Sequence, residues 1–150
     1  MLYGEGIFVG YRFYEARRIE PRFAFGHGLS YATFGYGDLV VGHGGDGTVD
    51  VAVDVTNTGD RAGAEVVQLY VRDLEASVRR PVKELKGFAK VTIEPGRTEH
   101  VHFTLDDRAF AFWDTRSGGW RAEPGDFELL VGASSADVRA RAVCTREEPS

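Results

Sequence analysis

A single cysteine, Cys144, stands in a chain of 150 residues, so no disulfide can form within it. Basic runs are missing too: 23 acidic residues against 18 basic give a net charge of -5, which makes nucleic acid and anionic membrane poor partners. No apolar run reaches the roughly 18–20 residues of a membrane span. Met1-Leu2-Tyr3-Gly4-Glu5 lacks the charged start and apolar middle of a signal peptide. The chain therefore reads as soluble and unexported, with room for one domain and a short appendage. Familiar chemistry is scarce as well. Gly4-Glu5-Gly6-Ile7-Phe8-Val9 has Val9 where a dinucleotide fingerprint needs its third glycine. No Gly-x-Ser-x-Gly occurs, and Asn57, the only asparagine, is followed by Thr58-Gly59, which is not a glycosylation acceptor. No cofactor is expected.

Hydrophobic residues at 43% and charged residues at 27% are ordinary for a chain that builds a core. The aromatics are crowded toward one end. Tyr3, Phe8, Tyr11, Phe13, Tyr14, Phe23, Phe25, Tyr31, Phe34 and Tyr36 all fall in the first quarter of the chain. Together they bring roughly 1,500–2,500 Å² that needs cover, several times what a monomer exposes in one patch. "IFVGYRFYE" carries apolar or aromatic groups on both faces, which predicts a strand over Ile7 to Glu15 buried on both sides. With only six residues before it, such a strand predicts a chain that begins partway through a larger protein.

Beyond the glycine-rich break Gly42-His43-Gly44-Gly45-Asp46-Gly47, the pattern turns to short alternating strands without a convincing helix. Val49, Val51, Val53 and Val55 alternate with polar neighbours up to the turn Asn57-Thr58-Gly59-Asp60. Further strands are predicted over 65–72, over 82–93 with a break near Gly87, and over 98–105 with His100, His102 and Thr104 outward. Short strands over 110–114 and 120–122 flank the loop Thr115-Arg116-Ser117-Gly118-Gly119. Two more follow, one starting at Phe127 and one ending at Cys144, whose thiol shares the arginine-free face with Val138, Ala140 and Ala142 and should be buried and inert. About seven or eight strands in roughly 110 residues predict an all-β antiparallel sandwich of the immunoglobulin or fibronectin type III kind, with an extended aromatic-rich arm at its N-terminus.

None of the candidate catalytic groups has the company it needs. His27, between Gly26 and Gly28, has only Glu20 and Asp38 as nearby carboxylates, at spacings that suggest no dyad; a buried connector is the expectation. His100 and His102 share a strand face but want a third ligand to hold a metal, so no metal is expected. Asp106-Asp107 reads as a turn with a helix cap. Trp113 and Trp120 could stack on a sugar ring, although alternation around them predicts that one belongs to the core.

"EGIFVGYRFYE", "FAFGHGLSYATF", "VTNTGDRAGAEVVQLYVRD", "RPVKELKGFAKV", "EPG", "FWD" and "GDFELLVGASSADVR" resemble, in this order, the C-terminal portion of family 3 glycoside hydrolases such as bacterial β-glucosidases. The resemblance implies that residues 1–38 are the end of an α/β sandwich domain plus linker and that 39–150 are a fibronectin type III-like domain. The family's nucleophilic aspartate and acid/base glutamate lie upstream of the matched portion, and neither Glu5 nor Glu15 takes the acid/base role by its pattern. The chain is thus expected to be a non-catalytic accessory domain that covers and stabilises the catalytic domains of a glycosidase. Phe8, Tyr11, Phe13, Phe23, Phe25, His27, Tyr31 and Phe34 would pack between domains, with the upstream catalytic domains or a second copy as partner. Two alternatives stay open: a carbohydrate-binding module that stacks a β-linked saccharide on Trp113 or Trp120, and a protein-interaction sandwich.

Overall fold

The computed structural model describes residues 4–44 and 47–147; Tyr3 and the Gly45-Asp46 step of the glycine-rich break lie outside them. In chain order the elements are α1 (Tyr11–Arg17), β1 (Phe34–Tyr36), β2 (Val40–His43), β3 (Val49–Asn57), β4 (Gly63–Asp73), β5 (Glu84–Ile93), β6 (Thr98–Leu105), α2 (Asp107–Phe110), β7 (Phe112–Asp114), β8 (Gly119–Arg121), β9 (Gly125–Gly132) and β10 (Val138–Arg146). One sheet is built on β3, with β6 along one side and β1 and β2 pairing with different stretches of the strand. The other sheet runs β10-β9-β4-β5, and β7 and β8 form a separate hairpin. All pairings are antiparallel. The architecture is the all-β sandwich that the alternation predicts.

The period of two explains the core. Val49, Val51, Val53 and Val55 of β3 face Val67, Leu69 and Val71 of β4 and Phe127, Leu129 and Val131 of β9 across the sandwich. Phe110 and Phe127 close one end, edge to face at 5.0 Å. Cys144 is buried in the same cluster, as expected, and burial pushes its thiol pKa up. On the outer face of β3, Asp50, Asp54 and Thr56 meet Thr104, His100 and Thr98 of β6 as cross-strand polar pairs. The break expected near Gly87 is a bulge. Register jumps from Leu69 opposite Gly87 to Tyr70 opposite Leu85, leaving Lys86 as the extra residue. Asp106 caps α2 by accepting from the Ala109 N–H, as its sequence suggested.

The predicted strand over Ile7 to Glu15 is not there; its second half, from Tyr11 on, belongs to helix α1 instead, and Ile7 to Gly10 lead into it. Gly6 and Gly10 adopt positive φ of 58° and 57°, which no extended strand accommodates. The helix then ends on Arg18 in the left-handed region, with the Ile19 N–H donating to the Tyr14 carbonyl. A short run with aromatics on every side fits either period, so alternation alone could not separate the two. Phe34–Tyr36, counted with the arm in the sequence, is hydrogen-bonded to β3 as β1.

Asn57 is the polar pin of the sandwich. Fully buried at the end of β3, it donates through Nδ2 to the Arg61 and Ile93 carbonyls at 2.7 and 2.8 Å and accepts from the Gly59 N–H at 2.9 Å. It thereby ties the β3–β4 turn to the end of β5. Asn57→Ala strands these backbone groups and should cost about 2–4 kcal/mol of unfolding free energy, read from urea denaturation with an unchanged m-value.

Tyr36 packs its ring on the core, and its hydroxyl is buried without a hydrogen-bond partner. Burial, reinforced by Glu65, raises its pKa above the usual tyrosine range. The native state therefore keeps a proton that the unfolded chain sheds above about pH 10, so stability falls as pH rises through that range, by at most about 1.4 kcal/mol per pH unit for this group. Tyr36→Phe should leave stability at pH 7 nearly unchanged and flatten the alkaline decline, measured as urea midpoints between about pH 8 and 11.

Candidate functional site

Two surfaces carry the groups singled out by sequence. The first is where the arm meets β4 and β5. Gln68 and Tyr70 point away from the sandwich core, yet both are buried. The arm covers them: Tyr11 of α1 sets its ring edge to Tyr70 at 5.9 Å, and Phe25 stacks on Tyr11 at 4.9 Å. The Tyr70 hydroxyl donates to Gln68 Oε1 at 2.6 Å, and Gln68 Nε2 donates to the Ala133 carbonyl at 2.8 Å and the Gly26 carbonyl at 3.4 Å. Gly26, at φ 79°, leaves space that a Cβ would take from the Gln68 amide. The Ser135 N–H closes the seam on the Phe25 carbonyl at 2.9 Å.

The helix is fastened along β5 by polar contacts. Residues 11, 12 and 15 fall along one side of a helix. The Tyr11 hydroxyl accepts from the Leu85 N–H at 2.8 Å, Arg12 pairs with Glu84 at 3.3 Å, and Glu15 pairs with Lys83. Glu84 also binds Arg80 at 3.1 Å; Arg80 in turn pairs with Asp73 at 3.0 Å and donates to the Phe110 carbonyl at 2.9 Å. The stretch "RPVKELKGF" thus supplies a docking strip for the arm. Sequence reading missed it, because its signal is the facing of charges on two segments about seventy residues apart.

The residues expected to pack between domains fall in several settings. Tyr11 and Phe25 bind the arm to the sandwich, and Phe34 packs on its core. Phe8 lies under the Arg79 guanidinium at 4.5 Å, while Phe13 contacts Tyr14 edge to face at 5.8 Å. Of the remainder, Phe23 is 67% exposed and Tyr31 93%; Leu29, between them in the chain, is 94% exposed. His27 is exposed as well, stacked on Phe23 at 5.5 Å, so the buried connector of the sequence reading is a surface connector in this chain. Its turn is made by the His27 N–H donating to the Ala24 carbonyl at 3.0 Å, a backbone role.

The second surface is a cleft of about 1030 Å³ beside the β7–β8 hairpin. Trp113 and Trp120 oppose one another across the hairpin, edge to face at 5.5 Å. The expectation that one is core is corrected: each is 50% exposed, because the hairpin stands apart from both sheets and its alternation does not report the sandwich interior. The Arg108 guanidinium sits 3.2 Å from the Trp120 ring centroid. Lys86, the bulged residue, lines the cleft, and burial lowers its pKa against the opposing pull of Glu84. His100 pairs with Asp54 on another face, and among the described residues no three His, Cys, Asp or Glu side chains gather as metal ligands. No helix among them is long and apolar enough to cross a membrane.

The sandwich is a fibronectin type III-like module. Residues 65–135 match the family described as "Fibronectin type III-like domain". Most of the chain is similar to part of longer proteins: it is 52% identical over 139 residues to thermostable β-glucosidase B of Acetivibrio thermocellus, covering 91% of this chain and 18% of that protein. It is 47% identical over 140 residues to β-glucosidase BoGH3A of Bacteroides ovatus, covering 91% and 19%. Among solved structures, the GH3 β-glucosidase of Bifidobacterium adolescentis superposes with a TM-score of 0.92 at 46% identity, over 96% of this chain and 21% of that one. The chain carries the fibronectin type III-like portion of family 3 glycoside hydrolases, and spans about a fifth of the length of the relatives it matches.

If the strip holds the arm, removing one contact should loosen it locally. Tyr11→Phe deletes the acceptor for the Leu85 amide, so exchange of that amide should accelerate while the β3 amides keep their protection, at a cost of about 1 kcal/mol in overall stability. Hydrogen exchange followed by NMR reads both.

Proposed function

We propose that this chain is the accessory sandwich of a β-glucosidase-type enzyme, whose arm seats it against the catalytic portion without itself supplying catalytic groups. The supporting observation is the division of the arm. Tyr11 and Phe25 hold it on the sandwich, while Phe23, Leu29 and Tyr31 of the same segment remain exposed. Large apolar side chains left exposed along one short segment suit a surface with a partner. On this reading residues 1–38, apart from the strand β1, are the end of an α/β sandwich domain and its linker, and the fibronectin type III-like domain follows. The relatives are β-glucosidases several times longer, which supports a catalytic neighbour in the same chain.

The test is complementation. Adding this chain to a relative's catalytic portion deprived of the matching segment should raise the melting temperature of that portion. Chain carrying Phe23→Ser and Tyr31→Ser should not, while keeping its own melting temperature. Hydrolysis of an aryl β-glucoside by this chain alone, abolished by one carboxylate substitution within it, would overturn the reading.

A second reading is favoured by the hairpin: two half-exposed tryptophans lining one cleft offer aromatic surface to a saccharide, independently of the arm.

A further inference from the structure

The cleft beside the hairpin holds more positive charge than its own carboxylates neutralise. Arg12, Arg80 and Lys86 converge on Glu84, and Arg121 approaches Glu123. The lining's remaining carboxylates, Asp106 and Asp114, keep their charge, but among the described residues neither forms an ion pair: Asp106 accepts from the Ala109 N–H in capping α2, and Asp114 accepts from the Arg116 N–H at 2.9 Å and the Ser117 hydroxyl at 3.0 Å. Arg79, Arg108 and Arg116 remain, all exposed and all lining the cleft, and none is in ion-pair range of a carboxylate among the described residues. Three unpaired guanidinium groups in one cleft run against a chain whose net charge is -5.

The two tryptophans are not equivalent there. Arg108 occupies a face of Trp120, whereas among the described residues no cation lies over Trp113. Trp120 with its arginine is a support, and Trp113 is the ring left to receive a ligand. We infer that the cleft binds an acidic saccharide, a uronate-bearing oligosaccharide whose sugar face lies on Trp113 and whose carboxylates are met by Arg79, Arg108 and Arg116. Guanidinium groups suit this ligand because their planar fork matches a carboxylate with two parallel hydrogen bonds. A neutral glucan would leave all three cations unmatched. This inference deepens the saccharide reading of the hairpin and rests on it; the complementation test of the arm is separate from both.

The experiment titrates the whole chain with trigalacturonate and, in parallel, with cellotriose, following heat by calorimetry and tryptophan fluorescence. The expected result is saturable binding of trigalacturonate at least about tenfold tighter than of cellotriose. Binding should weaken on raising salt to about 0.15 M. It should be lost in Trp113→Ala and reduced in Arg79→Ala/Arg116→Ala, with the fold of each checked by circular dichroism. Equal affinity for both sugars would overturn the acidic selectivity and leave the sugar platform standing. No binding of either up to about 10 mM would overturn both. Equally tight binding of inorganic phosphate or of hexa-aspartate would show a generic anion or acidic-peptide surface and overturn the saccharide. Full affinity in the arginine pair variant would remove these side chains from the site.

Discussion

The Gln68–Tyr70 pair is the constraint from which the rest of the structure follows. Both side chains leave β4 on the face turned away from the core, where a lone sandwich would give them to water. Both are buried, and they satisfy one another through a 2.6 Å hydrogen bond. Burying them without partners would cost a few kcal/mol for each polar group. The arm supplies the missing environment: the Gly26 carbonyl, the Tyr11 ring and, behind it, Phe25. The protein is better described as three layers than as two sheets with a tail. The third layer is thin and polar in its attachment, and it keeps its most apolar groups on the outside.

That attachment explains how one short segment can serve two masters. Alpha-helical geometry places Tyr11, Arg12 and Glu15 over the start of β5, where the Leu85 amide, Glu84 and the preceding Lys83 receive them. Partly buried ion pairs of this sort are worth little singly, since desolvation offsets most of the attraction. They do fix direction. With the helix held by directional contacts, the following segment leaves the sandwich along one path, and its Phe23, Leu29 and Tyr31 side chains stay exposed. Holding a greasy surface in one orientation lowers the ordering cost of meeting a partner.

Most of the sandwich could be read from the sequence because its strands obey a period of two and its turns carry their usual residues. β6 falls on residues 98–105 as expected, and the irregularity at Gly87 is real. Four things escaped. The segment around Tyr11 to Glu15 is aromatic on all sides, so its periodicity is silent on helix against strand. Asn57 has one residue's worth of sequence signal, and its role rests on carbonyls at positions 61 and 93 that only the fold brings close. The exposure of Trp113 and Trp120 depends on the hairpin standing off the sheets, a tertiary matter that local alternation does not encode. The charge-matched strip between α1 and β5 escaped for a related reason, since pairing across some seventy residues has no period at all.

The partnering of β3 has a further consequence for handling the molecule. β1 meets residues 55–57 of that strand and β2 meets residues 49–52, so short pieces of three and four residues, split by Gly37, Asp38 and Leu39, accompany it in place of one long strand. A broken rim of this kind presents no uninterrupted ladder of free amides and carbonyls on which another chain could template itself. Concentrated solutions of this protein should therefore be guarded against fibrillar growth along that rim, whatever the stickiness of its arm.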